Sequence, residues 1–405
     1  MAADTLSRLR ALAREAGCAG PASTAATDDT MNRLRALQRV RGRQQDAVTP
    51  TPAGQGGLAS EVALARRLGG ERVEDGLIRV RSTHPLPPDW SERDLGLPGQ
   101  SVTAPGLVFL DTETTGLAGG SGTLAFLVGT VRIRGGALHL AQYLITRYDA
   151  EAPMLRALRA ESVQDAQAWV TYNGKSYDLP LLETRSRLQG QGAWVALPDH
   201  LDLVHGVRRG FADRWPDCRL VTAERRLLGL IRHDDLPGAE APEAWFRYLR
   251  HGDPARLVRV VDHNRQDLLS LVALLPVVSR LHHEPHRFAA NPLGIARHVY
   301  SAGKDPDRAM AILKQGREVL DAEGVLELAR WARRHGDEAL AVSIWEELAA
   351  RGHQGALEAL SKYLEHVRRD YGRALELARQ LRPAHHHRPR VERLQAKLAR
   401  VPDTC

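Results

Sequence analysis

Residues 106–114 read GLVFLDTET, an apolar run that ends in two acidic side chains. Consecutive apolar residues are typical of a strand that is buried on both faces of its sheet. Side chains two residues apart on a strand point to the same side. We therefore expect Asp111 and Glu113 to project together from the end of a buried strand.

Further strand patterns follow this run. The segments TLAFLVGTVRIR and ALHLAQYLIT are separated by Gly135-Gly136, a hairpin signal, so these two strands should be antiparallel. A helical interval comes next, and after it WVTYN is predicted to be a buried parallel strand. The predicted fold class is α/β, with a mixed sheet flanked by helices.

A long helix is predicted after the sheet. Residues 253–275 read DPARLVRVVDHNRQDLLSLVALL, in which Asp253 and Pro254 fit the start of a helix and Leu and Val recur at helical spacing. We expect this helix to end near Pro276. His263 and Asp267 are four residues apart and therefore share one of its faces.

The chain after Asn291 shows only helical patterns. Similar segments begin at Asp305, Gly336 and Asp370, at intervals of about 30 to 35 residues, which is typical of stacked helical hairpins such as tetratricopeptide-like repeats. An irregular helical bundle is the alternative. Helical repeats would suggest a protein partner.

Composition limits the class of protein. The 405 residues carry a formal charge of +7 and no apolar run long enough to cross a bilayer, so we expect a globular protein of two domains plus tails, with no membrane contact. The three cysteines, Cys18, Cys218 and Cys405, show no CxxC spacing. This excludes a disulfide framework and favours the cytoplasm.

Acidic residues carry the chemistry that the sequence predicts. Asp111 and Glu113 would repel each other unless a cation lies between them, and hard divalent cations prefer oxygen ligands. Asp178 follows the WVTYN strand at a strand-to-helix junction. Each has an ordinary alternative: DTETTG could cap a turn, Asp178 could be a helix N-cap, and His263 could be a surface residue.

Four separated segments resemble the YprB ribonuclease H-like family of the DEDD superfamily of two-metal 3′–5′ exonucleases. They are FLDTETTGLAGGSGTLAFLVG, VTYNGKSYDLPLLETR, the HDDLPG segment that starts at His233, and DHNRQDLLSL, in the same order along the chain. The resemblance covers about residues 105–281. It implies a ribonuclease H-like exonuclease domain at 105–283, preceded by a mobile Arg-rich region at 1–55 and a connecting segment at 56–104, and followed by tetratricopeptide-like helical repeats at 291–400.

The resemblance also implies a metal centre. Two Mg²⁺ or Mn²⁺ ions about 4 Å apart would stabilise the attacking hydroxide and the leaving oxygen of a phosphodiester. The residues that match the metal-binding positions of the family are Asp111, Glu113, Asp178 and Asp267.

The base and the substrate contacts follow less directly from the resemblance. His263 would take a proton from the attacking water, although the superfamily patterns are His-x4-Asp or Tyr-x3-Asp, and this chain has His at the x3 position. His200, in the DHLDL segment, is a competitor. Asn173, Lys175 and Thr114 are the candidate substrate contacts, although Asn173 and Lys175 could instead only order the turn beside the second motif, NGKSYD.

The predicted function is a metal-dependent nuclease that hydrolyses DNA or RNA, most simply a 3′–5′ exonuclease acting on single-stranded ends. Two alternatives stay open. The chain could be a nucleic-acid-binding scaffold with a weak or inactive nuclease domain, or a structure-selective endonuclease.

Overall fold

The structure is a computed structural model that describes residues 57–87, 90, 95–100, 102–116, 122–232 and 235–400. The expected Arg-rich region at 1–55 lies outside these residues, as do His233 and Asp234 of the HDDLPG segment.

A seven-stranded mixed sheet organises the first part of the chain, with the strands in the order β1-β2-β5-β4-β3-β6-β7. Strands β3, β6 and β7 are mutually parallel, and the other neighbours are antiparallel. The strands are β1 (Glu71–Glu74), β2 (Leu77–Pro85), β3 (Leu107–Thr114), β4 (Ala125–Arg134), β5 (Ala137–Ile145), β6 (Ala168–Thr171) and β7 (Asp199–Asp202).

Strand β3 lies inside the sheet and is buried on both faces, which explains its unbroken apolar run. Leu107 and Phe109 contribute to one apolar core, whereas Val108 and Leu110 contribute to the core on the other face. The predicted hairpin joins β4 to β5, and the predicted parallel strand β6 pairs with β3.

Strands β1 and β2 lie in the segment 56–104, where we expected only a connection. Strand β2 pairs along its full length with β5 and so extends the sheet on the side away from β3. Its C-terminal half reads RSTHP, with charged and polar side chains at an exposed part of the sheet. That polarity hides the strand from a search for apolar runs.

Seven helices are described between residues 57 and 283. The longest, α7, passes Pro276 instead of ending there. A proline inside a helix costs about 3 kcal/mol, but Val278 and Leu281 are fully buried beyond it, and each such burial contributes about 1.5–3 kcal/mol. The helices are α1 (Gly57–Arg67), α2 (Glu151–Ser162), α3 (Asp178–Leu188), α4 (Leu203–Phe211), α5 (Leu220–Ala223), α6 (Ala241–His251) and α7 (Ala255–His283).

The C-terminal part of the chain contains seven more described helices, and their buried residues belong to the same apolar core as Phe109. Side-chain oxygens of Asp305, Asp337 and Asp370 each accept a hydrogen bond from a backbone amide in the first turn of α9, α11 and α13. These caps explain the recurrence seen in the sequence. The helices are α8 (Pro292–Ser301), α9 (Pro306–Gln315), α10 (Ala322–Arg334), α11 (Glu338–Ala350), α12 (Gln354–Tyr363), α13 (Tyr371–Gln380) and α14 (Ala384–Leu398).

None of the helices in the described part of the chain combines the length and apolarity needed to cross a bilayer.

Candidate active site

The predicted acidic residues meet where the parallel strands β3, β6 and β7 end. Asp111 and Glu113 lie on the last half of β3, Asp178 begins α3 after β6, and Asp267 comes from α7. Burial and, after it, the charges of Asp267 and Asp178 raise the pKa of both carboxyls on β3, so the four groups lie within electrostatic range of one another. Carboxyl ends of parallel strands are a common place for a site in such sheets.

Asp111 is held by a buried amide from α7. The Asn264 side chain is completely buried, and its Nδ2 donates to Asp111 Oδ2 at 2.8 Å and to the Asp111 carbonyl oxygen at 3.2 Å. Burial, followed by the charges of Asp267, Asp178 and Glu113, raises the pKa of Asp111 well above its usual value. Asn264 is itself fixed, because its Oδ1 accepts a hydrogen bond from Gln142 Nε2 at 2.8 Å.

The hydrogen bonds between Asn264 and Asp111 require α7 to lie close to β4. A Cβ atom at Gly129 would lie 2.2 Å from Asn264 Oδ1 and 2.5 Å from a methyl group of Leu268. Gly129 is the direct partner of Asp111 in the β3–β4 pair. A glycine is therefore required beside Asp111 for the helix to reach it.

Glu113 is buried, with only 8 % of the residue's surface exposed. Burial, followed by the charges of Asp267 and Asp178, raises its pKa from 4.5 to about 8. A carboxyl in this position carries a proton at neutral pH unless a cation compensates its charge.

Asp178 is the first residue of α3, and the Thr112 hydroxyl on β3 donates a hydrogen bond to its Oδ1. Burial raises the pKa of Asp178 to about 6, although the hydrogen bond from Thr112 opposes this. Strand β3 thus presents two carboxylates on one side and, from the residue between them, a hydroxyl that positions a third.

Asp267 is paired with a cation. Its Oδ1 accepts a hydrogen bond from Arg232, whose side chain is only 9 % exposed. Arg232 also donates from Nε to Glu224 Oε2 at 2.7 Å and from Nη1 to Asp235 Oδ2 at 2.9 Å. Burial raises the pKa of Asp267, and the charges of His263 and Arg232 oppose that rise.

His263 lies beside the acidic residues. Its Nε2 is 3.7 Å from Asp267 Oδ2 and 4.0 Å from Glu113 Oε1, and its Nδ1 is 2.7 Å from Asp235 Oδ1. The competitor His200 has its Nε2 2.8 Å from the Thr171 hydroxyl, and burial lowers its pKa to about 4. Of these two histidines, His263 is the one in contact with predicted metal ligands.

The turn after β6 is ordered by a carboxylate at the end of β7. Asp202 is 2 % exposed and accepts hydrogen bonds from the backbone amides of Asn173, at 2.6 Å, and Lys175, at 3.0 Å. Asn173 has a φ of 72°, and the side chain of Lys175 is exposed. The third candidate substrate contact, Thr114, donates its hydroxyl hydrogen to the Gly116 carbonyl oxygen at 3.0 Å.

The donor set fits hard divalent cations, because it consists of carboxylate oxygens. Burial is the main cause of their raised pKa values, and a bound cation would favour the charged forms. Within the described ranges, however, no three His, Cys, Asp or Glu side chains are already gathered into a metal-binding group. Asp111, Asp178 and Asp267 are each turned to a partner from the protein, namely Asn264, Thr112 and Arg232.

Several contacts of the site were not predicted from the sequence. Gln142 is a fully buried amide inside an apolar strand, and a polar residue at such an inward position is a signal for a buried hydrogen bond. The HDDLPG segment resembles the family, but the sequence alone indicates no role for its residues. The residues missed are Gln142, Asn264, Asp202, Glu224, Arg232 and Asp235.

Comparisons with known proteins bear on the same region. A family model described as the RNase_H superfamily matches residues 108–278, which include the four acidic residues and His263. This match confirms the ribonuclease H-like fold class. "Uncharacterized protein YprB" of Bacillus subtilis (strain 168) is 31 % identical over 304 residues, which cover 72 % of this chain and 73 % of that protein.

Proposed function

The chain belongs to the YprB family and carries an RNase H superfamily domain, and from this premise we propose that it is a metal-dependent nuclease that hydrolyses phosphodiester bonds of DNA or RNA. An RNase H superfamily domain indicates a hydrolase that acts on nucleic acid. The finer proposal is a 3′–5′ exonuclease that uses two Mg²⁺ or Mn²⁺ ions. The observation that carries it is the convergence of four carboxylates from β3, α3 and α7, each of which has a raised pKa.

The metal ligands in this proposal are Asp111, Glu113, Asp178 and Asp267. When bound, the two divalent ions would supply a nucleophilic hydroxide and stabilise the leaving oxygen. The protein positions these ligands through neutral donors: Asn264 fixes one oxygen of Asp111, and Thr112 fixes one oxygen of Asp178. Donors of this kind orient carboxylates that bind metal.

His263 is the base in the proposed reaction. Its Nε2 lies on the side of the ring that faces Glu113 and Asp267, so a water molecule held by these groups is within reach of that nitrogen. A neutral imidazole nitrogen within reach of that water can take its proton, which is the role of a general base.

The candidate substrate contacts differ in exposure. Lys175, in the turn after β6, is exposed and suits a phosphate contact. Asn173 and Thr114 are proposed to order the turns beside the substrate, since the backbone amide of Asn173 and the hydroxyl of Thr114 are used within the protein.

The C-terminal helices are proposed to be tetratricopeptide-like repeats that hold a protein partner, and the cytoplasm is the proposed compartment.

One observation keeps the scaffold alternative open: Arg232 contacts Asp267, which the nuclease needs as a metal ligand. A chain that only binds nucleic acid could keep that ion pair permanently.

Hydrolysis of end-labelled nucleic acid tests the proposal. Purified full chain is incubated with single-stranded DNA or RNA, labelled at either the 5′ or the 3′ end, in the presence of Mg²⁺ or Mn²⁺ or with a chelator. Asp111→Asn is the test variant, because it keeps the shape and the Asn264 contact region while removing the charge. Asp262→Asn is the matched control, because Asp262 is exposed and pairs with Arg265 on the same helix.

The proposal expects metal-dependent cleavage by the wild type and by Asp262→Asn, and a loss of at least about 100-fold in Asp111→Asn. Single-nucleotide release from the 3′ end would establish an exonuclease of the proposed polarity, whereas internal cuts would favour the endonuclease alternative. If the wild type binds nucleic acid but cuts neither substrate with either metal, the nuclease proposal is wrong and the scaffold alternative stands.

A further inference from the structure

Asp235 places its carboxylate directly against His263. Asp235 Oδ1 is 2.7 Å from His263 Nδ1, on the side of the ring away from the metal ligands. We propose that Asp235 is a positioning residue that fixes His263 in the tautomer with its proton on Nδ1, an inference that rests on the proposed function. In this tautomer Nε2 carries the lone pair and can accept a proton from water.

The neighbours of Nδ1 determine where the proton lies. Besides Asp235, Arg232 Nη1 is 3.3 Å from the same nitrogen, and it can only donate. The carboxylate is nearer, and Arg232 Nη1 already has a better acceptor in Asp235 Oδ2 at 2.9 Å. A charged acceptor at the shorter distance forms the stronger hydrogen bond, so Nδ1 donates to Asp235.

Asp235 is in turn held in place. Arg232 binds one of its oxygens while two other guanidinium nitrogens bind both oxygens of Glu224, which is completely buried. Glu224 lies in a π-helical turn that ends at Gly229. The contacts from Glu224 through Arg232 to Asp235 orient the carboxylate toward the imidazole, which is how an outer partner fixes a ring.

Replacing Asp235 by Asn should invert this arrangement. Arg232 needs an acceptor, so the amide oxygen of the new side chain turns to Arg232 and its NH₂ group turns to His263. Nδ1 must then accept, and the proton moves to Nε2, which can no longer take one from water. We expect kcat to fall about 10- to 100-fold, as for loss of other outer partners, with KM changed less than about twofold because no substrate contact is removed.

Two measurements on the full chain test the inference. The first is the ¹⁵N–¹H spectrum of the imidazole nitrogens in metal-free, histidine-labelled protein at a pH at which histidine is neutral, with the His263 signals assigned by their loss in His263→Gln. The second is kcat and KM for cleavage of labelled single strands. The variants are Asp235→Asn, the conservative Asp235→Glu, and the matched control Asp262→Asn, one residue before His263 and exposed.

The inference expects the wild type and Asp262→Asn to carry the proton on Nδ1, Asp235→Asn to carry it on Nε2, and Asp235→Glu to recover part of kcat. A wild-type proton on Nε2, or the same tautomer in Asp235→Asn as in the wild type, overturns it even if the wild type cuts nucleic acid. If the tautomer changes as expected but the wild type cuts no substrate, the positioning by Asp235 is supported and the proposed function fails.

Discussion

Neutralising Glu113 should stabilise the metal-free protein. Burial and the neighbouring carboxylates raise the pKa of Glu113 from 4.5 to about 8. Its proton is therefore bound more tightly in the folded state, so the stability is complete below pH 4.5 and is lost as the pH rises toward 8. At pH 7 Glu113 is ionised in the unfolded chain but still protonated in the folded protein. The pH is then about 2.5 units above the unfolded pKa, and at about 1.4 kcal/mol per unit the ionisation favours the unfolded chain by about 3 kcal/mol.

Glu113→Gln retains the size of the protonated side chain and has no proton to lose. We expect the variant to unfold with a free energy about 1–3 kcal/mol higher than that of the wild type at pH 7, and with no difference at pH 4. The assay is denaturant unfolding followed by circular dichroism at several pH values with a chelator present. The same variant should gain less stability than the wild type when Mn²⁺ is added, because a ligand that binds only the folded state stabilises it.

The control is Glu376→Gln, the same substitution at an exposed position of α13, which should change the unfolding free energy by less than about 0.5 kcal/mol at every pH. The reasoning is refuted if Glu113→Gln is less stable than the wild type at pH 7, or if the difference between the two does not change between pH 4 and pH 8.

Three further changes have definite outcomes. Gly129→Ala would bring a Cβ atom 2.2 Å from Asn264 Oδ1, so we expect about 1–3 kcal/mol less stability in denaturant unfolding together with reduced cleavage. Asp202→Ala leaves the two backbone amides of the turn after β6 without their acceptor; we expect a cost of about 1.5–3 kcal/mol and weaker Mn²⁺ binding by calorimetry. The hydrogen bond from Arg393 lowers the pKa of Glu365 to about 2, against the opposing effect of burial. The stabilisation that ionised Glu365 contributes should therefore be present above pH 4.5 and disappear as the pH falls toward 2. The acid unfolding curve of Glu365→Gln should lack this step.

The central part of the fold could be predicted because local signals there agree with the tertiary structure. Apolar runs predict β3 and β6, and both strands are buried in the structure. The Gly135-Gly136 pair predicts a tight turn, and it joins the antiparallel strands β4 and β5. Strands β1 and β2 were missed because pairing, rather than an apolar pattern, makes them strands: β2 pairs with β5, and β1 pairs with β2. The end of α7 was misplaced because burial of Val278 and Leu281 offsets the cost of Pro276.

The acidic residues of the site could be proposed from spacing and from family resemblance, but their partners could not. Asn264, Gln142 and Arg232 act through contacts with residues far away along the chain, and such pairings depend on how α7 and the segment before it lie over the sheet. A side chain such as Arg232, which could have been an ordinary surface arginine, acquires its role only from the three carboxylates folded around it.

Direct measurement of Mn²⁺ binding tests most simply whether these carboxylates form a metal centre. Mn²⁺ is titrated by isothermal calorimetry into the metal-free wild type, Asp111→Asn and Asp262→Asn. Asp111→Asn lacks one of the central charges of the site, whereas Asp262→Asn lacks only an exposed charge on α7. We predict two bound ions per chain for the wild type and for Asp262→Asn, and the loss of at least one of them in Asp111→Asn. Equal binding by all three proteins, or no binding by the wild type at millimolar Mn²⁺, would contradict the assignment.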